Sequence, residues 1–309
     1  GNPTHVMLSR ATGINLAEGI LLEVELDPTQ EPFLRDHALN GIPLLPGIMG
    51  IEGFSVAAQH IASALGAAKG GFRVEELADI AFLTPFKFYR DEARTITWKA
   101  QVVREASGLV AHVSLESYVN RRNNRVDHMQ HFRGNVHLVP ADQPMQSCDG
   151  IAPHWNGAYT VQAADIYKLY FHGPSFQVLE GVQKAGDTVL GKLNKQIPSL
   201  TGNDQKMLSV PVLVELCFQT AGIWEAGTSG ALSLPQSIGT LRIFENKVNG
   251  VAIFAEVKPF NHSNGDLYFD ARVIDSQGRV YLEMENYRTA QLPYGVDQAI
   301  LAPISALNK

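Results

Sequence analysis

The sequence predicts an α+β fold made of two halves with the same plan. Three observations carry this. Each half holds one helix that is apolar around most of its circumference, and after each helix only strand-like stretches follow. No strand–helix alternation, the mark of a parallel α/β sheet, runs through the chain. The two helices also align: Leu45-Pro46-Gly47-Ile48-Met49-Gly50-Ile51-Glu52 lies against Leu208-Ser209-Val210-Pro211-Val212-Leu213-Val214-Glu215. Both copies then carry a glutamate at the same helical position. A sheet wrapped around a buried helix, made twice, satisfies all three.

In the first half, residues 14–26 alternate polar and apolar and read as a strand with one buried face. A loop studded with Pro and Gly follows over residues 36–47. Residues 48–65 read as a helix whose Ile48, Ile51, Phe54, Val56, Ile61 and Leu65 leave it little polar surface, so it belongs inside. Strands are expected at 72–89, 95–104, 109–120 and 128–139, with a hairpin turn over 120–125. Residues 140–157, rich in Pro, Gly, Asp and Gln, read as a linker. The order then repeats: a strand at 188–197, a helix at 210–226, and strands at 238–244, 250–259, 266–275 and 279–292. The predicted domains are therefore 1–139 and 158–309, joined by 140–157.

Composition narrows the class. With 309 residues, 45% of them hydrophobic and 18% charged, the chain can build one large core or two mid-sized ones. A net charge of −6 and a pI near 5.9 argue against a nucleic-acid binder, which needs a basic face. Cys148 and Cys217 have neither a disulfide framework nor a metal-ligand spacing, as expected in a reducing, cytoplasmic compartment. No apolar run is long enough for a membrane span, and no signal peptide opens the sequence. The chain begins Gly1-Asn2-Pro3 without an initiator Met, as expected of a piece of a longer protein or one trimmed of a tag.

Two places carry chemistry. His37 stands in His37-Ala38-Leu39-Asn40-Gly41-Ile42-Pro43-Leu44-Leu45-Pro46, where Gly and two Pro residues stiffen the backbone just ahead of the first helix. A histidine there can be aimed, or can simply cap and pack. Beside it, the helix start at Pro46, Gly47 and Ile48 offers unpaired N–H groups to a carbonyl oxygen gaining negative charge. Glu215 lies within the second apolar helix, flanked by Val212, Leu213, Val214, Leu216 and Phe218. Such surroundings raise a carboxyl pKa and let it donate a proton near neutral pH. Gln219, four residues on and on the same helix face, can hydrogen-bond it and fix its rotamer.

These residues are where a family becomes recognisable. The stretch from His37 to Pro46 resembles the His-x3-Gly-x4-Pro signature of polyketide-synthase dehydratase domains. Pro211-Val212-Leu213-Val214-Glu215-Leu216-Cys217-Phe218-Gln219 resembles their second motif, which usually reads Asp-x3-Gln. Tyr170-Phe171-His172-Gly173-Pro174-Ser175-Phe176 resembles their Tyr-x-Tyr-Gly-Pro-x-Phe, and Leu234-Pro235-Gln236-Ser237-Ile238 their Leu-Pro-x-x-Ile. The four come in family order across nearly the whole chain. The stretch from Pro43 to Glu52 also resembles free-standing β-hydroxyacyl-carrier-protein dehydratases, with the flavour of iterative enediyne and polyunsaturated-fatty-acid synthases.

The resemblance implies a double hotdog fold, a pseudo-dimer in one chain with two antiparallel sheets each wrapped around a central helix. It implies dehydration of a β-hydroxyacyl thioester to the 2-enoyl thioester, with His37 as base and Glu215 as acid. No cofactor is implied, the substrate riding on the phosphopantetheine of an acyl carrier protein. The implied partners are that carrier protein, neighbouring synthase domains and a second copy of the chain, paired through the N-terminal half. Two departures stand out: Glu215 replaces the usual Asp, and His172 stands where a second Tyr is common. Tyr170 could bond substrate or pack along its tunnel.

Other features read more plainly. His128 and His131 suggest a metal, but on one strand they face opposite sides, so none is expected. Glu52, the sister of Glu215, reads as a structural relic. Arg121, Arg122 and Arg125 read as a solvated turn or as bait for an acidic carrier protein. The same fold and dyad also suit a product-template or cyclase domain, and a lapsed dehydratase kept as a scaffold is a non-enzymatic alternative. A thioesterase of this fold would not need His37 and Glu215 together.

Overall fold

In this computed structural model, residues 5–15, 19–66, 70–105, 108–120, 126–201, 206–248 and 250–308 are described. The chain divides into two compact units, Gly1–Met145 with Thr201–Ser209, and Gln146–Leu200 with Val210–Lys309. The first boundary thus falls within the stretch read as a linker, and a short piece of later chain returns to the first unit.

The first unit opens with β1 (Arg10–Asn15) and β2 (Gly19–Leu26) and a short helix, α1 (Pro32–Arg35). A two-residue strand pair follows, β3 (Ala38–Leu39) and β4 (Ile42–Pro43), and then helix α2 (Gly47–Ala64). Four long strands complete it: β5 (Phe72–Phe82), β6 (Arg94–Glu105), β7 (Gly108–Asn120) and β8 (Val126–Pro140). The sheet is antiparallel, in the order β1-β2-β6-β7-β8-β5, and α2 packs on β5 to β8. Its inner face is set by pairs such as Leu22 with Trp98 and Leu115 with Phe132, all buried.

Contact between helix and sheet is made by a glycine stripe. A Cβ on Gly47, Gly50 or Gly53 would meet the rings of Phe82, Phe132 and Trp98 respectively, at 2.6 Å for Gly50. The absent side chains let three aromatic rings lie against the helix backbone, with Phe82 and Phe132 edge to face at 5.2 Å. The Trp98 indole is fully buried, and its Nε1–H donates to the Met7 carbonyl at 3.0 Å.

The second unit opens with β9 (Cys148–Asp149), β10 (Val161–Gln162), helix α3 (Ala163–Leu169), β11 (Leu179–Ala185) and β12 (Thr188–Leu193). Helix α4 (Pro211–Ser229) follows, then β13 (Ala231–Ile243), β14 (Ile253–Asn261), β15 (Leu267–Asp275), β16 (Arg279–Gly295) and helix α5 (Gln298–Ile304). Its sheet runs β13-β16-β15-β14-β12-β11-β10, with β9 on β16, and α4 packs on β11 to β15. Nearly all of α4 up to Ala226 is buried, which is why it reads as apolar all round.

Several boundaries differ from those the sequence predicts. Residues 14–26 are not one strand: β1 and β2 pair antiparallel, Ile14 opposite Ile20. The strand expected to reach residue 89 stops at Phe82, because Pro85 follows and Leu83 and Thr84 both donate to the His131 carbonyl. The strand expected from residue 238 starts at Ala231, with Pro235 accommodated beside a register shift between Pro235 and Ser237. Residues 148–149, read as linker, add a short strand to the second sheet. The turn residues Arg121, Arg122 and Arg125 lie outside the described residues.

Candidate active site

His37 follows the short helix α1 and opens a tight hairpin. Ala38 pairs with Pro43 and Leu39 with Ile42, and the two turn residues, Asn40 (φ 52°) and Gly41 (φ 76°), are both left-handed. Asn-Gly suits that turn because Gly carries no Cβ and Asn tolerates positive φ. The hairpin is stapled at its base: Leu44 N–H donates to the His37 carbonyl at 2.9 Å, and Leu45 N–H and Phe88 N–H bond the carbonyls of Phe86 and Pro43.

The ring is fixed by the same residue that closes the hairpin. His37 Nδ1 lies 3.0 Å from the Leu44 carbonyl. A carbonyl only accepts, so Nδ1 carries the proton and the lone pair is on Nε2. Burial pulls the imidazole down to about 4, outweighing the opposing pull of the Leu44 hydrogen bond, although part of the residue remains accessible. At neutral pH the ring is an uncharged base. Just beyond, Pro46 caps α2, and its carbonyl takes the first helical bonds from Met49 and Gly50 at 3.1 and 3.0 Å. Gly47 and Ile48 therefore precede the helical ladder, as the sequence predicts for N–H groups that could polarise a carbonyl.

Glu215 lies on α4 in the second unit, only 6% exposed. Burial pushes its carboxyl up to about 7, opposed by a hydrogen bond from Gln219. Gln219 Nε2 donates at 2.7 Å to Glu215 Oε1 and at 2.7 Å to the Phe176 carbonyl, so the i, i+4 pairing expected from the sequence is formed. Tyr167, which sequence reasoning does not reach, donates its hydroxyl to Gln219 Oε1 at 2.9 Å. His172 Nε2 is 3.9 Å from Glu215 Oε1, with its ring stacked on Phe176.

Tyr170 is turned to the helix backbone. Its hydroxyl donates to the Gln219 main-chain carbonyl at 2.8 Å, over the space left by Gly222. Its ring lies 5.1 Å from that of His172.

The remaining sequence features separate cleanly. His131 is buried against Ser117 Oγ at 2.7 Å and the Thr84 carbonyl at 3.1 Å, while His128 is half-exposed and bonds Glu116 at 2.9 Å. They point to opposite sides of the strand, and among the described residues no group of three or more His, Cys, Asp or Glu is placed to hold a metal ion. Glu52 is fully buried and engaged, accepting from Leu208 N–H, Ser209 N–H and Ser209 Oγ–H at 2.8, 2.8 and 2.6 Å, with His5 Nε2 at 3.1 Å. It is an anchor for the residues just ahead of α4. Directly after them, Val210 takes φ 47°, a conformation that costs a β-branched residue about 1–3 kcal/mol. Among the described residues no helix is long and apolar enough to cross a membrane.

Two family profiles match the chain. A profile described as the polyketide synthase dehydratase domain matches residues 5–114, and one described as the polyketide synthase dehydratase N-terminal domain matches residues 160–299. Together they span well over half the chain. The chain belongs to the polyketide synthase dehydratase domains. Dehydration within a polyketide synthase is the activity that membership carries.

The dehydratase domain is 20% identical over 270 residues to polyketide synthase PksN of Bacillus subtilis, covering 85% of this chain and 5% of that protein. It is 26% identical over 228 residues to the pikromycin polyketide synthase component PikAII of Streptomyces venezuelae, covering 72% and 6%. The chain thus spans about a twentieth of these curated relatives. Among solved structures it resembles a trans-AT PKS dehydratase domain from Brevibacillus brevis, with a TM-score of 0.72 and 24% identity over 94% of this chain and 99% of that one. That likeness shows the fold, the double hotdog.

Proposed function

We propose that this domain removes water from a β-hydroxyacyl thioester presented on the phosphopantetheine arm of an acyl carrier protein. His37 Nε2 takes the α-proton, while the N–H groups of Gly47 and Ile48 stabilise the negative charge that grows on the thioester oxygen. The Cβ–O bond then breaks, and Glu215 gives its proton to the leaving hydroxyl, releasing water and the 2-enoyl thioester. Side chains and backbone suffice for these steps.

The observation that supports this reading best is the opposite displacement of the two groups. Burial leaves His37 uncharged, with a pKa of about 4, and holds Glu215 protonated up to about 7. A neutral base and a protonated acid are what the elimination consumes, and each is ready before substrate arrives. The same reading gives the domain neighbouring synthase domains, an acidic carrier protein as donor and a second copy as partner; light scattering tests the last.

The test of function is direct. Purified domain is given a β-hydroxyacyl pantetheine or carrier-protein thioester, and mass spectrometry reads loss of water. His37→Ala and Glu215→Gln should each slow that loss by about 10²–10⁴-fold with unchanged circular dichroism. Full activity in either variant would sink the assignment.

A further inference from the structure

The hydrogen bonds around Glu215 have a direction that can be traced to its source. Leu179 N–H, which can only donate, reaches the Tyr167 phenol oxygen at 2.8 Å. The phenol proton must then point elsewhere, and it goes to Gln219 Oε1 at 2.9 Å. That sets the amide with its oxygen toward Tyr167 and its nitrogen toward Glu215 Oε1 and the Phe176 carbonyl. Phe176 offers only an acceptor, so both ends of the amide agree. A donor at 2.7 Å on Oε1 leaves Oε2 as the oxygen that holds the proton when Glu215 is an acid.

We propose that Tyr167 is a positioning residue that fixes the polarity of the Gln219 amide and thereby assigns the transferable proton to Glu215 Oε2. The proposal rests on Glu215 being the acid. Tyr167 sits on α3, 52 positions from Gln219 in sequence. Without its hydroxyl, Gln219 Oε1 loses the donor that holds it, and donation to the carboxylate weakens.

The sign of the effect follows. An amide N–H stabilises the ionised carboxylate, so loosening it raises the Glu215 pKa. Of the other groups facing this cluster, Tyr170 and Tyr287 are held neutral by burial, which pushes both phenols up. His172 faces both members of the pair, with Nε2 3.9 Å from Glu215 Oε1 and Nδ1 3.5 Å from Gln219 Nε2, and both variants at 167 leave it in place; Glu225, further along α4, is bonded by Thr289 and Gln291.

The experiment reads the Glu215 carboxyl by carbon NMR across pH in substrate-free protein, its signal assigned by loss in Glu215→Gln. Tyr167→Phe should move the midpoint up by about one unit and lower kcat several-fold with KM little changed. Fluorotyrosine at 167 keeps the shape and strengthens the donor, so it should move the midpoint down. Tyr170→Phe, which loses only a main-chain contact of the same Gln219, should leave the midpoint in place. A midpoint unmoved by both changes at 167, or moved equally by Tyr170→Phe, would overturn the proposal. The titration needs no turnover, so a domain that dehydrates nothing would fail the functional reading without deciding this one.

Discussion

His37 and Glu215 owe their states to burial rather than to one another's charge, since burial is the leading cause for both. This fixes a pH profile. The base works when deprotonated, so kcat/KM should rise as pH climbs through about 4; the acid works when protonated, so it should fall through about 7. A substrate-saturation series from pH 3.5 to 9 checks both limbs, and a rate still climbing above pH 8 would contradict the assignment of Glu215. The pairing of Glu215 with Gln219 was legible because four residues of helix separate them within an apolar run. Tyr167 was not, because its hydroxyl reaches Gln219 across 52 positions of sequence, a distance that only the tertiary fold closes. The hairpin under His37 was within reach: Asn40-Gly41 is a turn signal, but the Pro and Gly around it suggested a loop.

Helix α2 depends on what it lacks. With a Cβ at residue 53, Trp98 would have to move, and its indole is pinned by the bond to Met7 and by the edge-on ring of Phe54. Gly53→Ala should therefore destabilise the domain by about 1–3 kcal/mol, although alanine is the better helix former. Gly70→Ala, whose Cβ would meet only Asp142 at 4.0 Å, serves as the control in urea melts. A neutral Gly53→Ala would mean that the ring and helix are loosely packed. The two helices were legible as elements because burial on every side writes apolar residues on every side. The role of the glycine stripe was not legible, since its partners come from β5, β6 and β8. The β1–β2 pair was read as one strand because residues 14–26 keep one alternation across the reversal.

At the scale of the whole chain, two units each enclose a helix in their own sheet, and the polypeptide passes from one unit to the other three times. The last passage follows Ser209, which Glu52 grips from within the first unit. Loss of the first unit's fold therefore frees the residues that lead into α4, and the two units should melt together. The buried indole makes this visible. Of the three tryptophans, Trp98 is in the first unit and Trp155 and Trp224 are in the second. With Trp155 and Trp224 both changed to Phe, the remaining emission comes from one ring sealed against α2, a blue-shifted optical probe of that half alone. Its transition in urea should overlay that of far-ultraviolet circular dichroism, which sees both halves; an earlier or later one would show each half holding itself up. The residue that forbids a side chain at position 53 thus also gives the domain a built-in lamp for watching one half of it unfold.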